Sequence, residues 1–488
     1  MSWQDVAIVG PLVGAILVAI AILLVDLVVP GRRGPALTVA LLGLGLVAVL
    51  TALAGRTPGQ AFGGAYTVDA LTTFLDLLFI SIVGLTIVFA PDYLEPRDLP
   101  IAEFAAVLVF ALTGAMLIAA STDLLVLFLG LELMVLPGYL LAGFAKRDSL
   151  STEGAIKYFL LGSFSSAIFL FGLAYVWGIT GTTRVAEVAA ELARVAAGGA
   201  ALQPGLALGL AFMTTGVAFK IAAVPFHYWT PDAYQGSPTP ITGYLSVGPK
   251  VGAFALILRL FVGALGPLRA DWLDVIIVLA ALTMTLGNLV ALTQGNVKRM
   301  LAYSSIAHTG YMLVGLAAYA GGRQEGLQGL LYYGAAYTFM NLGAFAVVAA
   351  LQHRPGVTSA LETFAGLGRR EPLLGILMTL FLLSLTGIPP TAGFFAKAYV
   401  ILAAVQAGGA LSVLAVIAVL NAAAAAFYYL RVVVYMFMRE PVAETEPQRH
   451  SSLVWAGLWA TTVLTIVLGL VPGPLLSVVT DAAKALTS

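Results

Sequence analysis

Six ionisable side chains stand where the sequence surrounds them with almost nothing polar. Glu132 interrupts the run Leu124–Leu136. Lys220 lies in Gly216-Val-Ala-Phe-Lys220-Ile-Ala-Ala-Val-Pro225, and Lys250 directly follows Pro249. His308 lies in Ser304-Ser305-Ile-Ala-His308-Thr-Gly310, and Lys397 follows Gly393-Phe-Phe-Ala396. Lys157 sits near one end of another apolar stretch. A charge at the centre of a bilayer costs at least about 2.5–3.5 kcal/mol on insertion scales, so such residues mark a pathway by default. A lysine taken out of water can hold or release its proton as a neighbouring charge changes. One such group per apolar segment suits a row of proton-relay stations, with Glu132 and Lys220 as the natural pair. Each has a structural alternative: a protonated, hydrogen-bonded glutamate, lysines that snorkel to the interface, a neutral histidine packed in a bundle. Arg259 and Arg431, near segment ends, read better as snorkelling residues. Asp26 and Asp76 read as packing or helix-contact residues.

The elements that must hold these groups follow from composition. Of 488 residues, 60% are hydrophobic and 10% charged, far from the polar surface a soluble protein of this size needs. Runs such as Leu12–Val29, Leu37–Ala54, Ile101–Ala120 and Leu453–Val471 approach the roughly 20 residues that span hydrocarbon as a helix. Barrel strands are about ten residues of alternating polarity, so the expected fold class is an all-α polytopic membrane protein. About fourteen spans are expected, near 6–29, 35–54, 69–90, 101–120, 122–144, 153–180, 204–229, 241–265, 271–294, 300–320, 328–352, 372–404, 411–438 and 452–471. Met1–Asp5 lacks a basic region and reads as the start of the first span, not a cleaved signal. The loops are too short for a soluble catalytic domain. Zero net charge leaves no footprint for nucleic acid. The absence of cysteine excludes disulfides, iron–sulfur clusters and thiolate metal sites within the chain. No Gly spacing resembles a dinucleotide or phosphate loop, so no metal or cofactor site is expected here.

Lysine and arginine divide unevenly between the two sides. Twelve, among them Arg32, Arg97, Lys146, Lys298 and Arg299, face one side against six on the other. The richer side is the expected cytoplasmic one, which puts both termini outside. Two spans are broken by proline. Pro225 frees the Ile221 carbonyl one residue after Lys220. Pro389 and Pro390, within Gly387-Ile-Pro-Pro-Thr-Ala-Gly393, free those of Leu385 and Thr386. Each break is fourth in a set of five spans. Five is odd, so the second set enters from the opposite side, giving two inverted repeats, a transporter signature. The expected units are 1–100 (three helices), 101–265 and 271–438 (the repeats) and 439–488 (a loop and the last helix), with Pro225, Pro389, Pro390, Gly387 and Gly393 as hinges.

Two long motifs carry a resemblance. Ala218-Phe-Lys220-Ile-Ala-Ala-Val-Pro225-Phe-His227-Tyr-Trp-Thr-Pro231-Asp232, continuing to Pro240, and Asn296-Val-Lys298-Arg299-Met-Leu-Ala-Tyr303-Ser304-Ser305-Ile-Ala-His308 resemble the antiporter-like subunits of complex I and their Mrp antiporter relatives. The resemblance covers about 101–438. It implies that Glu132, Lys157, Lys220 and Lys250 match relay positions on the fifth to eighth helices. Lys397 matches the twelfth-helix site that connects to the outside. The chain length, Lys397 and the run Tyr244–Lys250 resemble the N-type subunits most, with Pro249 a departure. The family implies proton translocation coupled to quinone reduction in other subunits. Flavin, iron–sulfur clusters and quinone are then expected in partners, among them an M-type antiporter-like subunit and small helical subunits, in a bacterial inner membrane. An Mrp-type Na+/H+ antiporter subunit shares the motifs; a passive scaffold does not account for the buried charges.

Overall fold

A computed structural model describes residues 3–30, 33–197, 202–441 and 448–487; Arg32, counted above, lies outside them. The long apolar runs become helices because lipid offers backbone groups no other partners. In chain order they are α1 (Trp3–Val28), α2 (Arg33–Ala54), α3 (Ala70–Phe89), α4 (Pro91–Leu94), α5 (Ile101–Ala120), α6 (Leu124–Ala142) and α7 (Ser149–Thr180). There follow α8 (Val185–Ala197), α9 (Pro204–Lys220), α10 (Trp229–Gly236), α11 (Thr239–Ile257), α12 (Arg269–Ala291), α13 (Val297–Ala320) and α14 (Glu325–Leu351). The chain ends with α15 (Leu367–Arg370), α16 (Pro372–Thr386), α17 (Ala392–Ala407), α18 (Ala410–Met438), α19 (Ser452–Leu470) and α20 (Gly473–Thr487). Among the described residues, 11 helices are long and apolar enough to cross a membrane. The broken pairs α9–α10 and α16–α17, with the more polar α13, account for the other three expected spans.

Polar residues set the helix starts. Asp69 accepts from the Thr72 amide, Asp123 from those of Leu125 and Val126, Asp148 from Leu150 and Asn296 from Arg299, each satisfying amides that have no partner within the helix. Three elements depart from the expected set. Gly59–Ala61 pairs antiparallel with Tyr66–Val68 as a short hairpin between α2 and α3. The loop at 181–203 holds α8, whose Val188 and Leu192 are buried one turn apart. Beyond the last span, α20 packs on α3 and α14.

α11 and α14 form the axis of the bundle, each fully enclosed by other helices, while α1 and α2 lie at its rim. Contacts within the two sets of five run in parallel: α5 packs on α6 as α12 does on α13, and α7 holds both halves of its broken partner as α14 does. Small residues permit this closeness. A Cβ on Gly114 would lie 2.2 Å from the Met134 amide nitrogen, and one on Gly310 would lie 2.7 Å from that of Met284.

Candidate functional site

Both broken spans open as the prolines require. α9 stops at Lys220, and Ala222 turns the chain with φ +58° before α10 begins at Trp229. α16 stops at Thr386, Gly387 takes φ +94°, and α17 begins at Ala392. The Val224–Pro225 and Pro389–Pro390 bonds are cis. The carbonyls freed by proline find side-chain donors. Thr309 on α13 reaches the Ile221 oxygen at 2.8 Å. The Lys397 ammonium lies 2.9 Å from both the Leu385 and Thr386 oxygens. It thus binds the negative end of the half-helix α16, and at 5% exposure it is no snorkelling anchor.

Glu132 and Lys220 do not touch directly. Ser166 on α7 donates to Glu132 at 2.5 Å and accepts from Lys220 at 2.8 Å. The Lys220 ammonium also reaches the Tyr139 hydroxyl at 3.3 Å and the Gly162 carbonyl at 3.4 Å. A wall of rings leads inward. Tyr139 meets Tyr158 edge-on, Tyr158 stacks on Trp229 at 4.2 Å, and Trp229 faces Tyr234. The Tyr234 hydroxyl lies 3.5 Å from the Ser305 hydroxyl. Lys250 donates to both the carbonyl and the hydroxyl of that serine, the latter at 2.6 Å.

From Lys250 the row continues through tyrosines. Its ammonium lies 5.5 Å from the Tyr337 ring centre, and the His308 ring lies 5.0 Å from that same ring. His308 meets Tyr333 at 2.7 Å through Nδ1 and Tyr429 at 3.3 Å through Nε2, and Tyr429 bonds Ser304. Tyr333 stacks on Tyr311, whose ring centre lies 4.7 Å from the Lys397 ammonium. Lys220, Lys250, His308 and Lys397 are therefore brought into one buried row. Glu132, half-buried, sits at its end. The buried Tyr337 hydroxyl and Asn341 side-chain oxygen, one turn apart on α14 and beside Ser305, make no well-formed hydrogen bond among the described residues; such groups ordinarily hold water.

Lys157 is placed apart. Its side chain is 42% exposed and pairs with Glu153 at 2.6 Å and Asp232 at 2.7 Å. Asp232 also binds Arg299 at 2.7 Å, tying α10 to both α7 and α13. Arg259 does not snorkel. It is buried, bonded to Asp69 at 3.0 Å and to the Ala119 carbonyl at 2.9 Å, because the carboxylate capping α3 supplies its counter-charge. Arg431 is half-buried and donates to the Leu292 and Gln294 carbonyls at the end of α12. Asp76 is buried with one oxygen unpartnered, and Asp26 is half-buried. Sequence reasoning missed Ser166, Ser305, Tyr333 and Tyr337 as members of the row. The four-residue spacing of the last two in an apolar helix was the available signal.

Residues 121–421 match the family described as NADH:quinone oxidoreductase/Mrp antiporter, TM. NADH-quinone oxidoreductase subunit N of Trichlorobacter lovleyi is 42% identical over 465 residues, covering 95% of this chain and 94% of that one. A chain of respiratory complex I from Thermus thermophilus, solved with bound aureothin, is 32% identical with a TM-score of 0.77, covering 96% of this chain and 98% of its own. A chain of the Mrp complex from Dietzia shares the fold, with a TM-score of 0.83 at 22% identity, covering 100% of this chain and 98% of that one.

Proposed function

Because the chain belongs to the NADH:quinone oxidoreductase/Mrp antiporter family of membrane subunits, on its subunit N side, we propose that the buried row is its proton path. Protons pass between Glu132, Lys220, Lys250, His308 and Lys397, with Ser166, Ser305 and the tyrosines bridging them. What carries this reading is the run of buried hydrogen-bonded groups, linked by aromatic contacts, from Glu132–Ser166–Lys220 at one break to Lys397 at the other. The Tyr337 and Asn341 oxygens, which make no well-formed hydrogen bond among the described residues, support water in the gap beside Lys250. Lys157 acts differently in this reading: through Asp232 it holds α10, and so the first break, in place.

The matched packing of the two sets of five supports inverted repeats at 101–265 and 271–438, flanked by 1–100 and 439–488. Pro225, Pro389, Pro390, Gly387 and Gly393 serve as their hinges. The lysine and arginine distribution supports both termini outside, and the bacterial relatives support an inner membrane. Quinone reduction belongs to partner subunits bearing flavin and iron–sulfur clusters, and the membrane neighbours are an M-type subunit and small helical subunits. Recovery of the chain with Mrp-type subunits alone would refute those partners. The test of the path is Lys220→Ala and Glu132→Ala in the assembled complex, reconstituted into vesicles. Both are expected to lose proton pumping and coupled turnover. Undiminished pumping by an assembled Glu132→Ala complex would refute the relay.

A further inference from the structure

Lys298 is the one buried lysine that the relay above leaves unused. It looks from sequence like a loop cation, next to Arg299 and beyond the apolar part of its span. In the fold it is 3% exposed, and its ammonium donates to the Ser237 carbonyl at 2.5 Å. Ser237 joins α10 to α11. Its neighbours Gly236 and Pro238 line an open cleft of about 680 Å³, whose wall also carries Glu103, Asp148 and Arg97. Asp148 and Arg97 are the charged groups within electrostatic reach of the Lys298 ammonium. One backbone strand therefore separates a buried lysine from a charged, water-accessible cleft.

Polar groups continue inward from the same point. The Thr242 hydroxyl donates to the Tyr234 carbonyl at 2.9 Å and lies 3.2 Å from the Ser237 carbonyl. The ring hydroxyl of Tyr234, at the far end of its side chain from its carbonyl, lies 3.5 Å from the Ser305 hydroxyl, and Ser305 receives Lys250. Lys298 and Ser305 are seven residues apart on α13, the same helix face about 10.5 Å further in. By the lysine and arginine count the cleft opens on the cytoplasmic side. We propose that Lys298 is the intake station of the path: it takes protons from the cleft beneath Asp148 and Glu103 and delivers them along the Tyr234–Ser305 column to the row at Lys250. The proposal rests on the relay reading.

A lysine that only anchors the α10–α11 connection needs its charge and hydrogen bond; an intake station must also release its proton. Lys298→Arg keeps the first and removes the second. Measured as the reconstituted whole complex, it is expected to assemble and to lose proton-coupled turnover by about a hundredfold, the scale of removing a positioned proton carrier. Wild-type turnover and proton-to-electron ratio would overturn the proposal. Should the variant not assemble, the cleft itself decides. The chain has no cysteine, so Ala145→Cys, on the cleft wall, places a single thiol there. Labelling with a membrane-impermeant trimethylammonium methanethiosulfonate, against identically treated wild-type complex, is expected to slow pumping; full labelling without effect would overturn the proposal. Lys250→Arg is run alongside. If it is impaired while Lys298→Arg and the labelled cleft are normal, intake lies elsewhere and the relay stands. If Lys250→Arg is also normal, both fall.

Discussion

The bridge between Glu132 and Lys220 is a single hydroxyl, which makes Ser166→Ala the sharpest perturbation of the proposed path. Ser166 donates to the glutamate at 2.5 Å and accepts from the lysine at 2.8 Å. Its loss leaves Lys220 with Tyr139 and Gly162 at 3.3 and 3.4 Å, long for an ammonium. A hydrogen bond to a charged group contributes about 1.5–3 kcal/mol, and every 1.36 kcal/mol is about tenfold in an equilibrium. Water entering the space of the lost oxygen restores part of this, so the expected loss is about tenfold in the population able to pass charge between the two residues. The assay is a double-mutant cycle on proton pumping by the reconstituted complex, with Ser166→Ala, Glu132→Gln and the pair. If the hydroxyl is the only conduit, the pair is no worse than Glu132→Gln alone. Ser165→Ala is the control, since that neighbour bonds only the Gly216 carbonyl. Additive losses, or wild-type pumping by Ser166→Ala, would refute the bridging role.

Lys397→Arg keeps a charge on the α16 carbonyls but cannot release a proton; assembly is expected to be normal and the proton-to-electron ratio lower, and an unchanged ratio at full turnover would make Lys397 an electrostatic cap only. Gly387→Ala must hold a side chain at φ +94° with its Cβ 3.0 Å from Lys397 Cδ; a cost of about 1–3 kcal/mol and a displaced lysine are expected, read as a lower melting temperature of the purified complex with weaker pumping. Asp232→Asn cuts the ion pairs to Lys157 and Arg299 together; partial loss of pumping is expected with assembly retained, and the loss should exceed that of Glu153→Gln, which removes only the Lys157 partner one turn away.

The breaks were the most legible part of the site. Proline removes a specific hydrogen bond, so the carbonyls of Ile221, Leu385 and Thr386 could be named from sequence, and each meets a side-chain donor. What sequence does not carry is which side chains converge from separate helices. Ser166 is one of several small polar residues in α7, and only packing against α6 and α9 singles it out. Arg259 and Lys298 were misread for a common reason. Position along a span gives depth, but a counter-charge or carbonyl supplied by another helix decides whether a long cation turns inward or out. The hairpin at 59–68 and α8 lie in segments too short or too mixed in composition to signal against the apolar runs around them.

The complete enclosure of α11 and α14 has a consequence for biogenesis. Both carry polar groups on faces that only neighbouring helices cover: Lys250 and Ser246 on one, Tyr333, Tyr337 and Asn341 on the other, with Asn341 bonded to Ser246 at 2.6 Å. Neither is a good solitary lipid-facing span. During synthesis α11 emerges before every helix of the second set, so one flank waits for a cover that lies some hundred residues downstream. A ribosome-bound chain ending before α13 therefore presents Lys250 and Ser246 to lipid or to an insertion chaperone; α13 then brings Ser305 to Lys250, and Ser246 is covered only when α14 supplies Asn341.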